Sequence, residues 1–365
     1  MRLALLLMLV FARGIQASAE TPRFRVAEPS YRLNFPRDHG AHPEFQTEWW
    51  YFTGLLYREG EAAFVNAPLY GFQLTFFRRS SRPGDLSEWS QSYLAHAAIA
   101  DLTAARFYHR ELQNPGGLGV AEAASDSLRV LNGEWRAGQI GQTLQLNFRL
   151  NSPAGPLTLT LSADFRDVPI AHGLNGFSRK GVCEECASIY YSVPRLKWTG
   201  ELRQGSRSTA VTGLGWMDHE FMSSALSGDQ IGWDWFSLMR KDGTSLMLFQ
   251  IRSTTDSRAI KAGTLISGSS ARSLSPAEFS IESLDTWLSP HTKARYPSRW
   301  RIAVPSLSLD QELEPLLADQ ELSMQRAEAA PGVPTYWEGA ISVPDRSTVG
   351  YAELTGYAGS LTKNF

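Results

Sequence analysis

Carboxylates set among aromatic side chains are the residues of this chain best suited to chemistry. Gly215-Trp216-Met217-Asp218-His219-Glu220-Phe221 places an acid and an imidazole beside an indole. Gly232-Trp233-Asp234-Trp235-Phe236 flanks a second acid with two indoles, and Glu48-Trp49-Trp50-Tyr51 and Tyr336-Trp337-Glu338-Gly339 repeat the pattern. Six of the eleven Trp lie in these four stretches, so the indoles are concentrated where the acids are. A carboxyl walled by aromatic rings loses hydration of its charged form, and its pKa rises from about 3.9. It then stays protonated near neutral pH and can act as an acid. Ring faces stabilise a nearby cation by roughly 0.5–2 kcal/mol each. Together these groups could protonate an isolated alkene and shelter the carbocation until water adds.

In a strand, period two puts Trp216 and Asp218 on one face, and likewise Trp233 and Trp235, with Asp234 opposite. Asp218 is the leading acid, with His219 as the group that orients it or relays its proton. The competing reading pairs Asp218 with an Arg or with backbone amides as architecture. Trp50, Trp233, Trp235, Asp234, Glu48 and Trp337 are candidate ligand-lining residues. His39 and His42, with Glu44 or Glu48 nearby, have metal-ligand chemistry. A Pro-flanked loop whose histidines bond the backbone is the simpler reading, and no metal or cofactor is assigned.

Several other machines fail on spacing. Gly176-Phe177-Ser178-Arg179-Lys180-Gly181 puts the second Gly one place too late for a nucleophile elbow. His219-Glu220 lacks the second His of a zinc protease, Gly117-Leu118-Gly119 lacks a dinucleotide context, and no Walker loop occurs. With 35 Lys+Arg against 37 Asp+Glu, there is no basic footprint for nucleic acid.

The elements that must carry these residues read as strands. Phe72-Gln73-Leu74-Thr75-Phe76, Leu144-Gln145-Leu146-Asn147-Phe148 and Leu157-Thr158-Leu159-Thr160-Leu161 alternate strictly, with turn clusters between such runs. An all-β chain of antiparallel sheets closed as sandwich or barrel follows, with 121–128 the one short helical candidate. The aromatic hairpin from Trp49 to Arg78 is echoed from Trp233 to Arg252, which suggests two related units meeting near Lys197 to Ser208.

At the N-terminus, a basic start, an apolar run from Leu3 to Ala12 and Ala17-Ser18-Ala19 predict a cleaved signal peptide, residues 1–19. A run this short does not span a bilayer as a helix. The expectation is therefore a periplasmic or secreted protein without stable membrane insertion. In an oxidising compartment Cys183-Glu184-Glu185-Cys186 reads as a local disulfide, with a catalytic dithiol as the alternative.

Phe35-Pro36-Arg37-Asp38-His39-Gly40, His42-Pro43, Glu48-Trp49-Trp50-Tyr51, Gly176-Phe177-Ser178, Tyr190-Tyr191-Ser192, the segments around Asp218, Asp234 and Trp337, and Gly356-Tyr357 together resemble a known pattern. It is that of the carotenoid 1,2-hydratase (hydroxyneurosporene synthase) superfamily, in its secreted AttH-type branch. The resemblance implies two tandem lipocalin-like β-barrels, here divided as 20–200 and 201–365. It also implies a hydrophobic, isoprenoid or lipid-like ligand and cofactor-independent addition of water to an alkene. By that resemblance Asp218 is the acid, and Trp216 and Tyr191 are the cation-stabilising aromatics. Other AttH-type members are associated with ABC-class export permeases, which makes a non-catalytic periplasmic carrier the alternative.

Overall fold

The alternation of apolar and polar residues is realised as strands almost throughout a computed structural model that describes residues 23–359 except 86, 167, 184, 224–228, 256–258 and 324–334. The expected signal peptide lies outside the described residues. No α-helix occurs among the described residues. Instead of a helix at 121–128, Ala121–Ala123 pairs with Arg129–Asn132 as a hairpin. The intervening Ser125-Asp126-Ser127 supplies turn chemistry that competes with a helix.

The strands form two antiparallel sheets. In the first are β1 (Thr47–Arg58), β2 (Tyr70–Ser80), β3 (Gln91–Asp101), β4 (Arg106–Pro115), β5 (Ala121–Ala123), β6 (Arg129–Asn132) and β7 (Trp135–Ile140). It continues with β8 (Thr143–Ser152), β9 (Gly155–Asp164), β10 (Ile170–Ala171), β11 (Phe177–Arg179), β12 (Ala187–Gln204) and β13 (Arg207–Met222). The second has β14 (Gln230–Arg240), β15 (Thr244–Ser253), β16 (Ile260–Ser267), β17 (Ser270–Leu274) and β18 (Ser280–Leu288). Then follow β19 (Arg295–Val304), β20 (Leu309–Pro315), β21 (Glu321–Leu322), β22 (Tyr336–Ser342) and β23 (Thr348–Leu354).

Each sheet is a meander whose first strand pairs with its last: β1 with β13, and β14 with β23. That pairing curls both into nearly closed, barrel-like sheets, the two-barrel architecture that the family resemblance implied. The expected division at 200/201 falls inside β12, and the first sheet continues to Met222. Gly205 lies at the tip of the β12–β13 hairpin. The first barrel needs β13, because β13 alone supplies the partner for the inner edge of β1. The aromatic echo survives as the hairpins β1–β2 and β14–β15, which hold equivalent places in their sheets.

Burial tells where the two barrels meet. β8 and β9 alternate buried with exposed residues, as strands with one wet face do. β1, β2, β14, β22 and β23 and the second half of β13 are buried on both faces. The three largest apolar clusters among the described residues follow from this. One fills the first barrel, one the second, and a third, with Tyr51, Tyr190, Trp216, Trp235, Phe249 and Tyr351, lies between the sheets. Polar bonds cross this middle layer: Trp235 Nε1–H to Tyr190 Oη (2.9 Å), His96 Nδ1 with Tyr336 Oη (2.6 Å) and His172 Nδ1 with Thr264 Oγ1 (2.8 Å).

Candidate functional site: an acidic, aromatic layer between two barrels

Strand register decides which acid meets which aromatic. On β13, Asp218 lies opposite Tyr51 of β1 and Ser192 of β12, whereas His219 lies opposite Trp50 and Tyr191. Side chains of directly paired residues share a face. Asp218 therefore points between the barrels and His219 into the first barrel. Gly215 lets β13 lie this close to its neighbours, since a Cβ there would stand 2.2 Å from Trp198 Nε1 and 2.4 Å from the Thr53 carbonyl.

Asp218 is 4 % exposed. Its Oδ2 accepts from Tyr190 Oη–H at 2.5 Å, and its Oδ1 from Trp216 Nε1–H at 2.6 Å and from the Ser192 hydroxyl. All three donors are neutral. Burial pushes the carboxyl up to about 7, against those three bonds and with help from the charge of Glu220. Tyr190 is raised well above the ordinary phenol range by burial, then by Asp218, so it remains a donor. Behind Ser192, His172 Nε2 lies 2.6 Å from its hydroxyl oxygen. Burial, and then Lys180, holds His172 down to about 3, so this imidazole is neutral.

The second sheet closes the layer. Trp235 stands 6.4 Å from Trp216 and edge-on to Tyr51 at 5.2 Å, ring centre to ring centre. On β23, Glu353 is directly opposite Trp235, and Trp233 Nε1–H donates to its Oε2 at 2.9 Å. Burial raises Glu353 to about 7, opposed by the Trp233 bond and reinforced by Asp218 and Glu220. Glu338, opposite Glu353 on β22, is held well above the carboxylate range by burial and by Glu353. Trp233, Glu353 and Lys180 are only half-buried and form the wetter end. Lys180 pairs with Glu220 (2.7 Å) and lies over the rings of Tyr190 (4.7 Å) and Phe249 (4.3 Å). Cys183 and Cys186 are joined as a disulfide, and the Cys186 carbonyl accepts from the Lys180 amide (2.8 Å), tying that loop to the site.

The other face of the same strands carries a different network. Glu48, fully buried, bonds His42 Nδ1 (2.7 Å) and His219 Nε2 (2.9 Å) through Oε1, and Arg78 Nε (2.9 Å) through Oε2. Burial alone would raise Glu48, but the charges of His42 and Arg78 hold it well below the usual range. Tyr191 bonds His219 Nδ1 (2.9 Å) and His39 Nδ1 (2.7 Å), and Trp50 stacks on His219 with ring centres 4.8 Å apart. His42, Glu48 and His219 lie within metal-ligating reach of one another. Their donor atoms already saturate each other, however, and a guanidinium occupies the second carboxylate oxygen, so the trio suits a charge network better than a cation. A cleft of ≈ 340 Å³ lined by Arg25, Arg32, Arg37, Asp38 and Glu44 adjoins this network, and Asp218 is not in its lining.

The candidate residues thus fall into three places. Asp218, Trp216, Trp233 and Trp235 meet between the barrels. His219, Tyr191, Glu48 and Trp50 are in the first barrel, so His219 and Tyr191 are not beside Asp218: neighbours along a strand point to opposite sides. Asp234 and Trp337 are in the second barrel. There Asp234 is bonded by Gln250 (2.7 Å) and Tyr357 (3.0 Å) and paired with Arg252 (3.2 Å), and Trp337 Nε1–H donates to the Ala318 carbonyl (2.8 Å). The sequence reading missed Tyr190, Ser192, His172, Tyr51 and Glu353. A Glu inside the apolar run Val349–Leu354 was a usable signal. Choosing Tyr190 over Tyr191 required the β12–β13 register.

Two nearly closed antiparallel barrels sharing a buried acidic layer define a tandem lipocalin-like β-barrel protein. The chain belongs to the AttH-like family, whose model matches residues 26–357. It is similar to an AttH protein from Nitrosomonas europaea of known structure, at 31 % identity and a TM-score of 0.78, over 92 % of this chain and 100 % of that one. Kievitone hydratase from Nectria haematococca shares the fold at 14 % identity and a TM-score of 0.64, over 93 % and 98 % of the two chains. No curated protein matches the chain by sequence.

Proposed function

We propose that the protein adds water to a carbon–carbon double bond of a hydrophobic, isoprenoid-like molecule held between the two barrels, with Asp218 as the acid. One observation carries this reading: a buried carboxyl near neutral pKa, held by neutral donors only among the described residues, within a layer of Trp and Tyr. A carboxyl balanced by a cation is a poor proton donor, and one poised near the working pH is a good one. Trp216, Trp235 and Tyr190 would face the developing carbocation, where ring faces are stabilising. Tyr190 and Ser192 would hold the carboxylate left after proton transfer. The name of kievitone hydratase, a protein of the same fold, supports a hydration. His219 and Tyr191 serve the first barrel's charge network in this reading.

The test is incubation of the purified protein with acyclic isoprenoid alkenes in D2O, followed by organic extraction and mass spectrometry. A product heavier by one D2O from the wild type, and none from Asp218→Asn, is expected. Unmodified alkene retained equally by both proteins overturns the reaction and leaves a carrier.

A further inference from the structure

A proton given to an alkene must be matched by one removed from the attacking water, and a base placed apart from the acid lets that water approach from a different side than the proton donor. We infer that Glu353 is the second catalytic carboxyl, the base that takes the proton of the attacking water; this rests on the hydration reading above. Its place in the fold carries the inference. Glu353 projects from β23 on the face shared with Trp235, whose indole N–H reaches Tyr190, the donor to Asp218. The two carboxyls thus belong to opposite sheets of one layer, which also holds the Trp216 and Trp235 rings 6.4 Å apart.

The two acids differ in how they are held. Both oxygens of Asp218 are engaged, by three donors. Glu353 is fixed through Oε2 by Trp233, while Oε1 has no hydrogen-bond partner among the described residues and lies at the half-buried end. An oxygen left open beside the wetter end is suited to orient a water, and an acid locked by three donors is suited to aim a proton. The neighbouring carboxyls do not compete for the base's role. Glu338 is held in its neutral form, and Glu220 is taken by Lys180 and the Ser188 hydroxyl.

The steps balance. The alkene's π pair forms a C–H bond with the Asp218 proton, leaving a carboxylate and a carbocation. A water lone pair then forms the C–O bond, and the released proton goes to the Glu353 carboxylate. The sum is alkene plus water to alcohol, and return of the proton from Glu353 to Asp218 resets the site.

Wild type, Asp218→Asn and Glu353→Gln separate these roles. In D2O, Glu353→Gln is expected to lose at least about 100-fold in hydration while still exchanging alkene hydrogens for deuterium, because the acid remains. Asp218→Asn loses both. Formate is expected to restore part of the hydration in Glu353→Ala. Wild-type hydration by Glu353→Gln, or loss of exchange together with hydration and no rescue by formate, overturns the assignment. An infrared titration of protonated carboxyls needs no substrate. Removing either acid is expected to lower the midpoint of the other, with Glu220 and Glu338 still facing the survivor. Unmoved midpoints overturn the pairing. A wild type that hydrates nothing overturns the hydration reading itself, and with it the base, whatever the titration shows.

Discussion

Asp218 and His219 are consecutive, yet they belong to two buried networks that solve the problem of a desolvated charge in opposite ways. Inside the first barrel, Glu48 is matched by Arg78 and His42 and is held as a carboxylate. Arg78 in turn donates to the carbonyls of His42 and Phe45, tying the segment before β1 to β2. Between the barrels, Asp218 receives only hydroxyl and indole donors among the described residues and keeps its proton up to about pH 7. Burial penalises an ion in both places, and the presence or absence of a cation decides between a fastener and a proton donor. A buried acid is therefore not informative until its partners are known. Asp234 lies between these two cases: burial raises it, and Arg252 beside it opposes that rise.

The largest expected effect is on turnover. Asp218→Asn should lower hydration about 10²–10⁴-fold while changing the unfolding free energy at pH 7 by no more than about 1 kcal/mol. A quantitative product assay and urea unfolding read the two numbers. Glu48→Gln should do the reverse: it strips the counter-charge from buried Arg78 and His42 and should cost about 3–5 kcal/mol in urea unfolding. If Asp218→Asn proves the more destabilising of the two, the contrast between the networks fails.

The pH dependence of stability sharpens the contrast further. Asp218 binds its proton more tightly folded (about 7) than unfolded (about 4). Its contribution is complete below about pH 4 and is lost as pH rises through about 7. Asp218→Asn should thus gain on the wild type across that window. Glu48 is held below its ordinary value, so its contribution is present above about pH 4.5 and lost as pH falls through its folded value. Glu48→Gln should flatten that acid limb. Thermal melts from pH 3 to pH 8 distinguish the two slopes, and parallel curves for both variants would erase the distinction. The smallest effect is expected from paired hydroxyl deletions. Tyr191→Phe removes a bond to His219 and to His39 at about 1 kcal/mol of stability without altering hydration. Tyr190→Phe should cost similar stability but slow hydration and raise the Asp218 midpoint, read by infrared titration.

Much of this was legible in the chain. Strict alternation announced the strands, the aromatic hairpins announced two units, and period two correctly put Trp216 with Asp218 and set Asp234 apart from Trp233 and Trp235. These are local properties, because a strand's side chains alternate whatever the strand packs against. Where one unit ends is not such a local property, because a polar turn looks the same whether it joins two barrels or two strands of one.

Tertiary structure decided the rest. Glu48 is 171 residues from His219, and Glu353 is in the other sheet from Asp218. Only pairing of β1 with β13 and of β13 with β12, and the packing of the two barrels, brings such groups together. Alternation determines that Asp218 and His219 face opposite ways but not which side is which. That choice is made only when the two sheets pack, and it put the cation-matched acid inside a barrel and the unmatched one between two.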